Sequence, residues 1–425
     1  MSARTKRLQL SLGVSPRGGA LCSFGFEEKA DGITRTGRLA DAGIVLPQDS
    51  APVAVYPLRV PAGTGYAFWC ENGYMYFVPP GGSFASQTDV SFSRRPAWMS
   101  AYGEEESLVF SDGSKVAVLT AEGIAYKGGI PTFDFAAYSY ERLWVGKRAE
   151  EGKLYYSAPR ECYDFVIGRV RGGTMEFPDE GGAVVALVAY ENDLYLFRER
   201  RLQRLRARGV QDEFELVDIA TLAPVAEGTI AEALGKLVWL GADGLHSFDG
   251  STVRDFFPEY AACIADAAQA TAAGCAEAYV LLAPVRTGTG VKKMLGVFGD
   301  EEAVFFRTQA RSLSSGGGKV FVCGDGVRTV GKGDAEGVSF WEGEELFPFG
   351  GGRALLREAV VTAEGEFLLR VRGDGVRTAR VHGGTQRLLL NLPGRSFVFS
   401  ACGERGEGSV KRISALFADA EGGET

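Results

Sequence analysis

Short apolar runs, broken by turns rich in Gly, Asp and Asn, repeat along most of the chain, and their alternation has the two-residue period of strands. The clearest stretch is 228–256, GTIAEALGKLVWLGADGLHSFDGSTVRDF. It holds the run Leu237, Val238, Trp239 and Leu240, a turn at Gly241 to Gly244, a strand through Leu245 and Phe248, a second turn at Asp249 and Gly250, and an exit strand. Links this short leave no room for a crossover helix, so the strands pair as antiparallel hairpins. A single meander of this size cannot bury both of its faces, and it needs similar neighbours.

Such neighbours are present. Residues 66–78, YAFWCENGYMYFV, read as a hairpin around Asn72-Gly73, and 107–128 as a second unit with turns at Asp112-Gly113 and Glu122-Gly123. A third unit spans 135–165, with Leu143 to Val145 and Leu154 to Tyr156 as partner strands, and a fourth spans 183–206 around Glu191 to Asp193. After 228–256, strands at 278–282, 295–298 and 303–306 form a sixth unit, and 312–330 extended through 339–341 forms a seventh. Six or seven meanders repeating every roughly 35 to 50 residues are the signature of a β-propeller. The repeated unit of strand, dipeptide turn, strand, turn and short strand favours that fold over two stacked sandwiches.

The expected fold is therefore all-β, a β-propeller of six or seven antiparallel blades with a small C-terminal β-sandwich-like domain. Residues 1–61 hold weak strands that can close the propeller, 62–347 form the propeller itself, and 353–425 form the C-terminal domain after the Pro348 to Gly352 break. One exception to the strand pattern is 260–273, YAACIADAAQATAA, where Ile264, Ala267, Ala268 and Thr271 at helical spacing predict one short helix. The string GDGVRT occurs at 324–329 and 373–378 with different flanks, which reads as convergence on one hairpin turn. Trp69, Trp144, Tyr156, Tyr195, Trp239 and Phe248, each inside an apolar run, are the expected blade anchors.

Composition supports this picture and narrows the chemistry. Glycine, at 58 of 425 residues, is in excess without a collagen period, as many tight turns require. Net charge is −8 with Lys and Arg dispersed, which argues against sequence-specific nucleic-acid binding. The densest basic cluster, Arg200, Arg201, Arg204, Arg206 and Arg208, reads as a charged, exposed strand edge, with contact to an acidic partner through Arg200, Arg201 and Arg204 as the functional alternative. Seven cysteines in odd number and without CxxC spacing read as buried free thiols of a reducing cytoplasm. Residues 1–14 begin basic without an apolar core, and no apolar run approaches membrane length, so neither a secretory signal nor a membrane anchor is expected.

Candidate catalytic groups are sparse. His246 and His382 are the only histidines, which excludes a histidine zinc cluster, and no cofactor or metal is expected. The pairs Glu150-Glu151, Glu301-Glu302 and Glu344-Glu345 fall in expected turns and read as solvated charges, with a glycosidase-like pair as the alternative. SGGGK at 315–319 lacks phosphate-loop spacing and leads into a strand. SFDGST at 247–252 lacks the spacing and tryptophan of a sialidase Asp box, and no unit ends in the Trp-Asp pair of WD repeats.

Two stretches carry a resemblance. ERLWVG followed by KLYYSAPRECYDF, within 140–165, resembles a segment of tail and neck proteins of tailed bacteriophages, and ENDLYLFRERRLQRL at 191–205 with GKLVWLGADGLHSFDG at 235–250 is similar to the next two blades of those proteins. The resemblance covers about 135–256. It implies a non-enzymatic structural virion protein of a tail nozzle, tail tube or head-to-tail connection, made in the host cytoplasm. Its implied partners are other virion proteins in a homo-oligomeric ring through which DNA passes, with no membrane partner. The chain is shorter than the large nozzle proteins. A propeller-fold carbohydrate-active enzyme and a cellular protein-interaction propeller are the alternatives.

Overall fold

The computed structural model describes residues 5–10, 12, 20–24, 26–28, 33–35, 39–47, 50–102, 105–177, 181–287, 290–300, 303–324, 326–330, 339–403 and 408–419. Within them, seven four-stranded antiparallel units follow one another and form the blades of a β-propeller. Blade 1 is Pro52–Val60, Gly63–Cys70, Tyr74–Val78 and Ser86–Ser91; blade 2 is Ala97–Tyr102, Glu106–Ser111, Val116–Thr120 and Gly123–Tyr126. Blade 3 is Phe135–Ser139, Arg142–Gly146, Lys153–Tyr156 and Gly173–Glu176; blade 4 is Val184–Tyr190, Asp193–Arg198, Arg201–Arg206 and Glu215–Thr221. Blade 5 is Ala231–Ala233, Lys236–Gly241, Gly244–Phe248 and Val253–Asp255; blade 6 is Thr271–Cys275, Ala278–Thr287, Gly290–Phe298 and Ala303–Arg307. Blade 7 takes Ser312–Gly316, Lys319–Cys323 and Val327–Val330 from one part of the chain and its outer strand, Leu39–Asp41, from the other end.

The packing explains the sequence pattern. Neighbouring blades meet face to face, so a second strand is covered on both sides and reads as a continuous apolar run, as in Leu143-Trp144-Val145 and Leu237-Val238-Trp239-Leu240. Each of the seven seams holds its own buried cluster. Tyr56, Met75, Leu108 and Phe110 fill the seam between blades 1 and 2, and Val109, Phe133, Leu143 and Val145 the next. The series ends with Val55, Phe68, Tyr76 and Phe321, which join blade 7 to blade 1 and close the ring.

The second module is a sandwich built from both ends of the chain. One sheet carries Ala354–Glu364, Gly384–Gly394 and Ser409–Asp419 with Thr5–Gln9 added; the other carries Ala20–Phe24, Ser339–Gly343, Val398–Gly403, Phe367–Arg372 and Val376–Val381. Trp341, Leu356, Phe367, Phe399, Ile413 and Phe417 fill the space between them. The hairpin Phe26–Glu28 and Ile33–Arg35 links the modules, pairing Glu28 with Phe305 of blade 6 and Thr34 with Ser409 of the sandwich.

Four expectations need correction. The division at 61 and 62 passes through the turn between the first two strands of blade 1, because Pro52–Val60 is that blade's inner strand and the closing strand is Leu39–Asp41. Residues 339–341 belong to the sandwich, paired with Val398–Gly403 rather than with blade 7. At 260–273 there is no α-helix: two 3-10 turns, Pro258–Cys263 and Ala267–Gln269, lead into the inner strand Thr271–Cys275 of blade 6. The small side chains that mimic helix composition are the ones a crowded inner strand accepts. Gly274, within that strand, has no room for a Cβ, which would meet Glu232 O at 2.1 Å. Finally, Arg201–Arg206 is not an edge strand, since Glu215–Thr221 pairs along its outer side.

Candidate functional site

The expected anchors lie in two adjacent seams and at a rim. Trp144 and Tyr156 sit side by side on neighbouring strands with ring centroids 5.0 Å apart, Phe214 packs on both, and the indole Nε1 donates to Ser139 O at 3.0 Å. Tyr195 and Phe248 meet across the seam of blades 4 and 5 at 5.2 Å, beside the Phe197–Trp239 contact, also 5.2 Å. Trp69 is half-buried and donates to Gly73 O. Trp144 and Tyr156 lie in the cluster shared by blades 3 and 4, and Tyr195, Trp239 and Phe248 in that shared by blades 4 and 5, each aromatic contact contributing about 0.5–1.5 kcal/mol beyond its buried area.

Of the three arginines considered for partner contact, Arg201 pairs with Asp218 at 3.1 Å and Arg204 lies 3.7 Å from Asp193. Arg200 is exposed at the turn between the second and third strands. Intramolecular carboxylates thus neutralise much of the cluster.

Two buried arginines that the sequence pattern hid are more informative. Arg142 is 3 % exposed and donates to Ser157 O, Arg171 O and Gly209 O while its guanidinium covers the Tyr156 ring. Burial lowers its pKa. Arg198, 1 % exposed, donates twice to Gly182 O and lies over Phe177. Each pins a long connecting loop to a blade. The detectable signal is an arginine directly abutting a doubly buried run, as in RLWV and LYLFR.

The first concavity, about 550 Å³, opens where the inner hairpins of blades 3 and 4 turn, lined by Tyr138, Tyr140, Glu141, Tyr190, Glu191 and Glu232 among others. Its turns are unusual: Tyr140 and Glu141, then Glu191 and Asn192, all have positive φ between 47° and 68°. Two left-handed central residues match the right-handed twist of a hairpin, but without glycine each costs on the order of 1 kcal/mol. Contacts between blades fix them. Tyr140 OH donates to Asp193 Oδ1 at 2.5 Å, and Tyr190 OH donates to Gly235 O at 2.7 Å. Burial, first, and the Asp193 carboxylate push the Tyr140 phenol up to about 12, so it remains a proton donor.

The second concavity, about 740 Å³, lies between blades 2 and 3. Glu105, Glu106, Ser107 and Thr120 form one wall, Arg160 to Asp164 the other, with Lys127 beside them. Tyr163 OH donates to Ser107 Oγ at 2.6 Å and the Lys127 ammonium stands 5.2 Å from the Tyr163 ring. Arg160 is committed to Glu141, and Asp164 to Arg171 at 2.6 Å. Backbone donation from Val166, then the Arg171 guanidinium, holds the Asp164 carboxyl below its usual range.

Past Asp164 the connection between the third and fourth strands of blade 3 projects outward as a tight loop. Gly168 N donates to Gly172 O, Arg171 N to Gly168 O and Ala158 N to Asp164 O. With Phe165 turned toward the seam cluster, the loop presents Val166, Ile167 and Val170 at 56 %, 76 % and 67 % exposure. This is the densest exposed apolar group among the described residues.

Other candidates resolve into structure. His246 stands between Asp243 at 2.8 Å and Asp255 at 3.4 Å on opposite ring nitrogens, an arrangement that orients the ring but does not converge on one atom. Asp112 and Asp249 accept from the Ser and backbone N–H groups that follow them, which holds both carboxyls well below the usual range. These are Asx turns. In SGGGK the glycines Gly317 and Gly318, at φ 61° and 76°, make a hairpin turn. Glu150 accepts from Lys147 and Tyr155; Glu301-Glu302 lies outside the described residues. Cys70, Cys162, Cys263 and Cys323 are buried free thiols, Cys275 and Cys402 are partly exposed, and the Cys22 side chain lies outside the described set. Among the described residues no three His, Cys, Asp or Glu are grouped to hold a metal ion, and no helix is long and apolar enough to cross a membrane.

No family model matches the chain, and no curated protein matches it in sequence. Solved structures do. BamB from Moraxella catarrhalis aligns over 78 % of this chain and 97 % of its own at 10 % identity and a TM-score of 0.42. The RRP9 WD40 repeats align over 69 % and 99 % at 10 % identity and a TM-score of 0.44. The extracellular domain of a candidate hybrid two component system from B. thetaiotaomicron aligns over 69 % of this chain at 11 % identity and a TM-score of 0.44, and the match spans 40 % of that domain's own chain. The propeller assignment stands on the strand order and the seven seam clusters themselves.

Proposed function

We propose that the protein is a non-enzymatic structural component of a tailed-bacteriophage or prophage particle, placed in the tail or head-to-tail connection with other virion proteins. The observation that supports this reading most directly is the contrast between its two modules. Residues 353–425, which supply most but not all of the sandwich, carry eleven Arg and Lys against nine Asp and Glu, whereas the chain as a whole carries 46 against 54. An acidic ring bonded through a shared sheet to a basic sandwich is suited to stacking against neighbours of alternating sign, and an acidic ring does not retain DNA. The strands that carry the phage resemblance, Arg142–Gly146 and Lys153–Tyr156, are the central pair of blade 3.

Immunogold labelling of tailed particles whose genome encodes the chain tests this. Label at one defined position on intact particles is the expected result; protein present in the lysate but absent from purified particles would overturn it. A second reading, a carbohydrate-binding or carbohydrate-active propeller, is favoured by the concavity lined by Tyr138, Tyr140 and Tyr190 beside Glu141, Glu191 and Glu232. Stacking tyrosines and hydrogen-bonding carboxylates are the groups a sugar ring needs. Glycan-array binding that Tyr140→Ala abolishes would establish it in place of the first.

A further inference from the structure

We infer that the loop tip at 166–170 and the cleft between blades 2 and 3 form a self-complementary surface, through which two copies of the chain pair about a two-fold axis. This goes beyond the particle reading and does not depend on it.

The tip is apolar and positive. Val166, Ile167 and Val170 are exposed, and Arg169 stands among them with its side chain in solvent. It is also rigid, because the Arg142 guanidinium holds Arg171 O at 2.8 Å and the Arg171–Asp164 ion pair closes the loop. A preorganised apolar tip loses little conformational entropy on docking. The cleft is its complement. Glu105 and Glu161 are exposed there with no ion pair among the described residues, Glu106 accepts from Ser100, and the Tyr163 ring forms part of the wall. The remaining carboxylate of the lining, Asp164, is matched by Arg171, and the cation Arg160 is taken up by Glu141 outside the cleft. The carboxylates left over therefore outnumber the one remaining cation, Lys127.

Tip and cleft are contiguous, since Asp164 lines the cleft and Val166 begins the tip. Contiguity selects the symmetry. When a projection and its receptor lie side by side on one subunit, a two-fold rotation places each projection over the other's receptor and satisfies both with only two copies; a head-to-tail pair leaves one of each open until further copies close a ring. The docked pair covers three apolar side chains and sets Arg169 of one copy against Glu105 and Glu161 of the other.

Sedimentation equilibrium of the purified full chain, run against protein concentration and salt, reads this directly. The expected species is a dimer that weakens as salt rises. Ile167→Asp with Val170→Asp is expected to give monomer with an unchanged melting temperature, since both positions are exposed. Arg169→Glu is expected to weaken the dimer on the order of tenfold, and adding Glu105→Lys with Glu161→Lys to restore it. A wild-type chain that stays monomeric at all concentrations, a dimer indifferent to the Ile167 and Val170 changes, or a charge swap that fails to restore pairing would each overturn the proposal. Loss of the dimer leaves the particle assignment standing, and absence from particles leaves the dimer standing.

Discussion

The seam between blades 4 and 5 and the seam between blades 7 and 1 solve the same packing problem with different material. The first joins blades that are consecutive in the chain, and it is filled by Tyr190, Tyr195, Phe197, Trp239 and Phe248. The second joins blades that the chain does not connect in sequence order, and it is filled by smaller groups, Val55, Cys70, Val78, Cys323 and Val327, around Phe68, Tyr76 and Phe321. It adds polar cross-links instead. Val55 N donates to Ser314 Oγ at 3.1 Å, Ser312 Oγ donates to Val53 O, Arg95 reaches Leu313 O at 2.7 Å, and Arg311 pairs with Glu71. Where chain connectivity already sets the register, aromatic bulk holds the seam together with the Tyr190–Gly235 hydrogen bond at its rim. Where it does not, directional bonds and a three-residue strand from the N-terminal region fix the alignment.

The largest test of this contrast is Trp239→Ala. Removing a fully buried indole from the 4–5 seam is expected to cost about 3–5 kcal/mol, read as a shift of the urea midpoint. A loss under about 1 kcal/mol would mean that the seam relaxes around the cavity and that aromatic bulk is not what holds it.

At the closing seam the most sensitive point is a close approach. A Cβ on Gly316 would come within 2.1 Å of the Pro57 ring on the adjoining inner strand. Gly316→Ala is expected to cost about 1–3 kcal/mol through overpacking, with hydrogen exchange at 327–330 accelerating first. Gly128→Ala, where nothing lies within 4 Å, is the control and is expected to leave stability unchanged.

How much of this was legible in sequence depends on the kind of contact. The propeller followed from repeated runs and turns because second strands are buried on both faces and advertise themselves, as LVWL does. Inner strands do not. Ala97–Tyr102 and Thr271–Cys275 are mixtures of small and half-buried residues, and the first carries no strand signal of its own while the second mimics a helix. Pairings between distant segments left no mark at all: nothing in LAD at 39–41 says that it will lie beside VRTV at 327–330. The projecting tip was hidden for a different reason. VIGRV is one more short apolar stretch in a chain full of them, and only the Asp164–Arg171 pair and the Arg142 staple reveal that it leaves the sheet. The arginines at 200–206 read as an edge because their carboxylate partners, Asp193, Glu215 and Asp218, come from the neighbouring strands.

The thiols make the closing seam sensitive to alkali. Burial, then the proximity of each other, pushes Cys70 up to about 12, and burial raises Cys323 to about 11. Their folded values exceed the unfolded one, so the stability they contribute is complete below the unfolded pKa near 9 and is lost progressively as pH rises from there to the folded values of about 11 and 12. Each thiol is expected to contribute a slope of about 1.4 kcal/mol per pH unit in that window. Urea titrations at pH 8, 9 and 10 on the wild type and on Cys323→Ala check it: the substituted chain is expected to fall less steeply, and an identical slope would remove Cys323 from the account.

The smallest expected effect belongs to the ion pair that looks most like a clasp. Arg311 leads into the first strand of blade 7, Glu71 sits in the turn after the second strand of blade 1, and their contact spans the closing seam. Both side chains are substantially exposed, at 40 % and 54 %, so water and salt screen the pair and ordering two long side chains offsets much of its attraction. Arg311→Ala is therefore expected to cost about 0.2–1 kcal/mol, with the difference from wild type disappearing at 1 M salt. A double-mutant cycle with Glu71→Ala separates the pair from the loss of arginine packing. A coupling well above 1 kcal/mol that persists in high salt would show that the closure relies on this contact. A small, salt-sensitive coupling would leave the weight on the buried Ser314 and Ser312 hydrogen bonds and on the Leu39–Asp41 strand, where the geometry puts it.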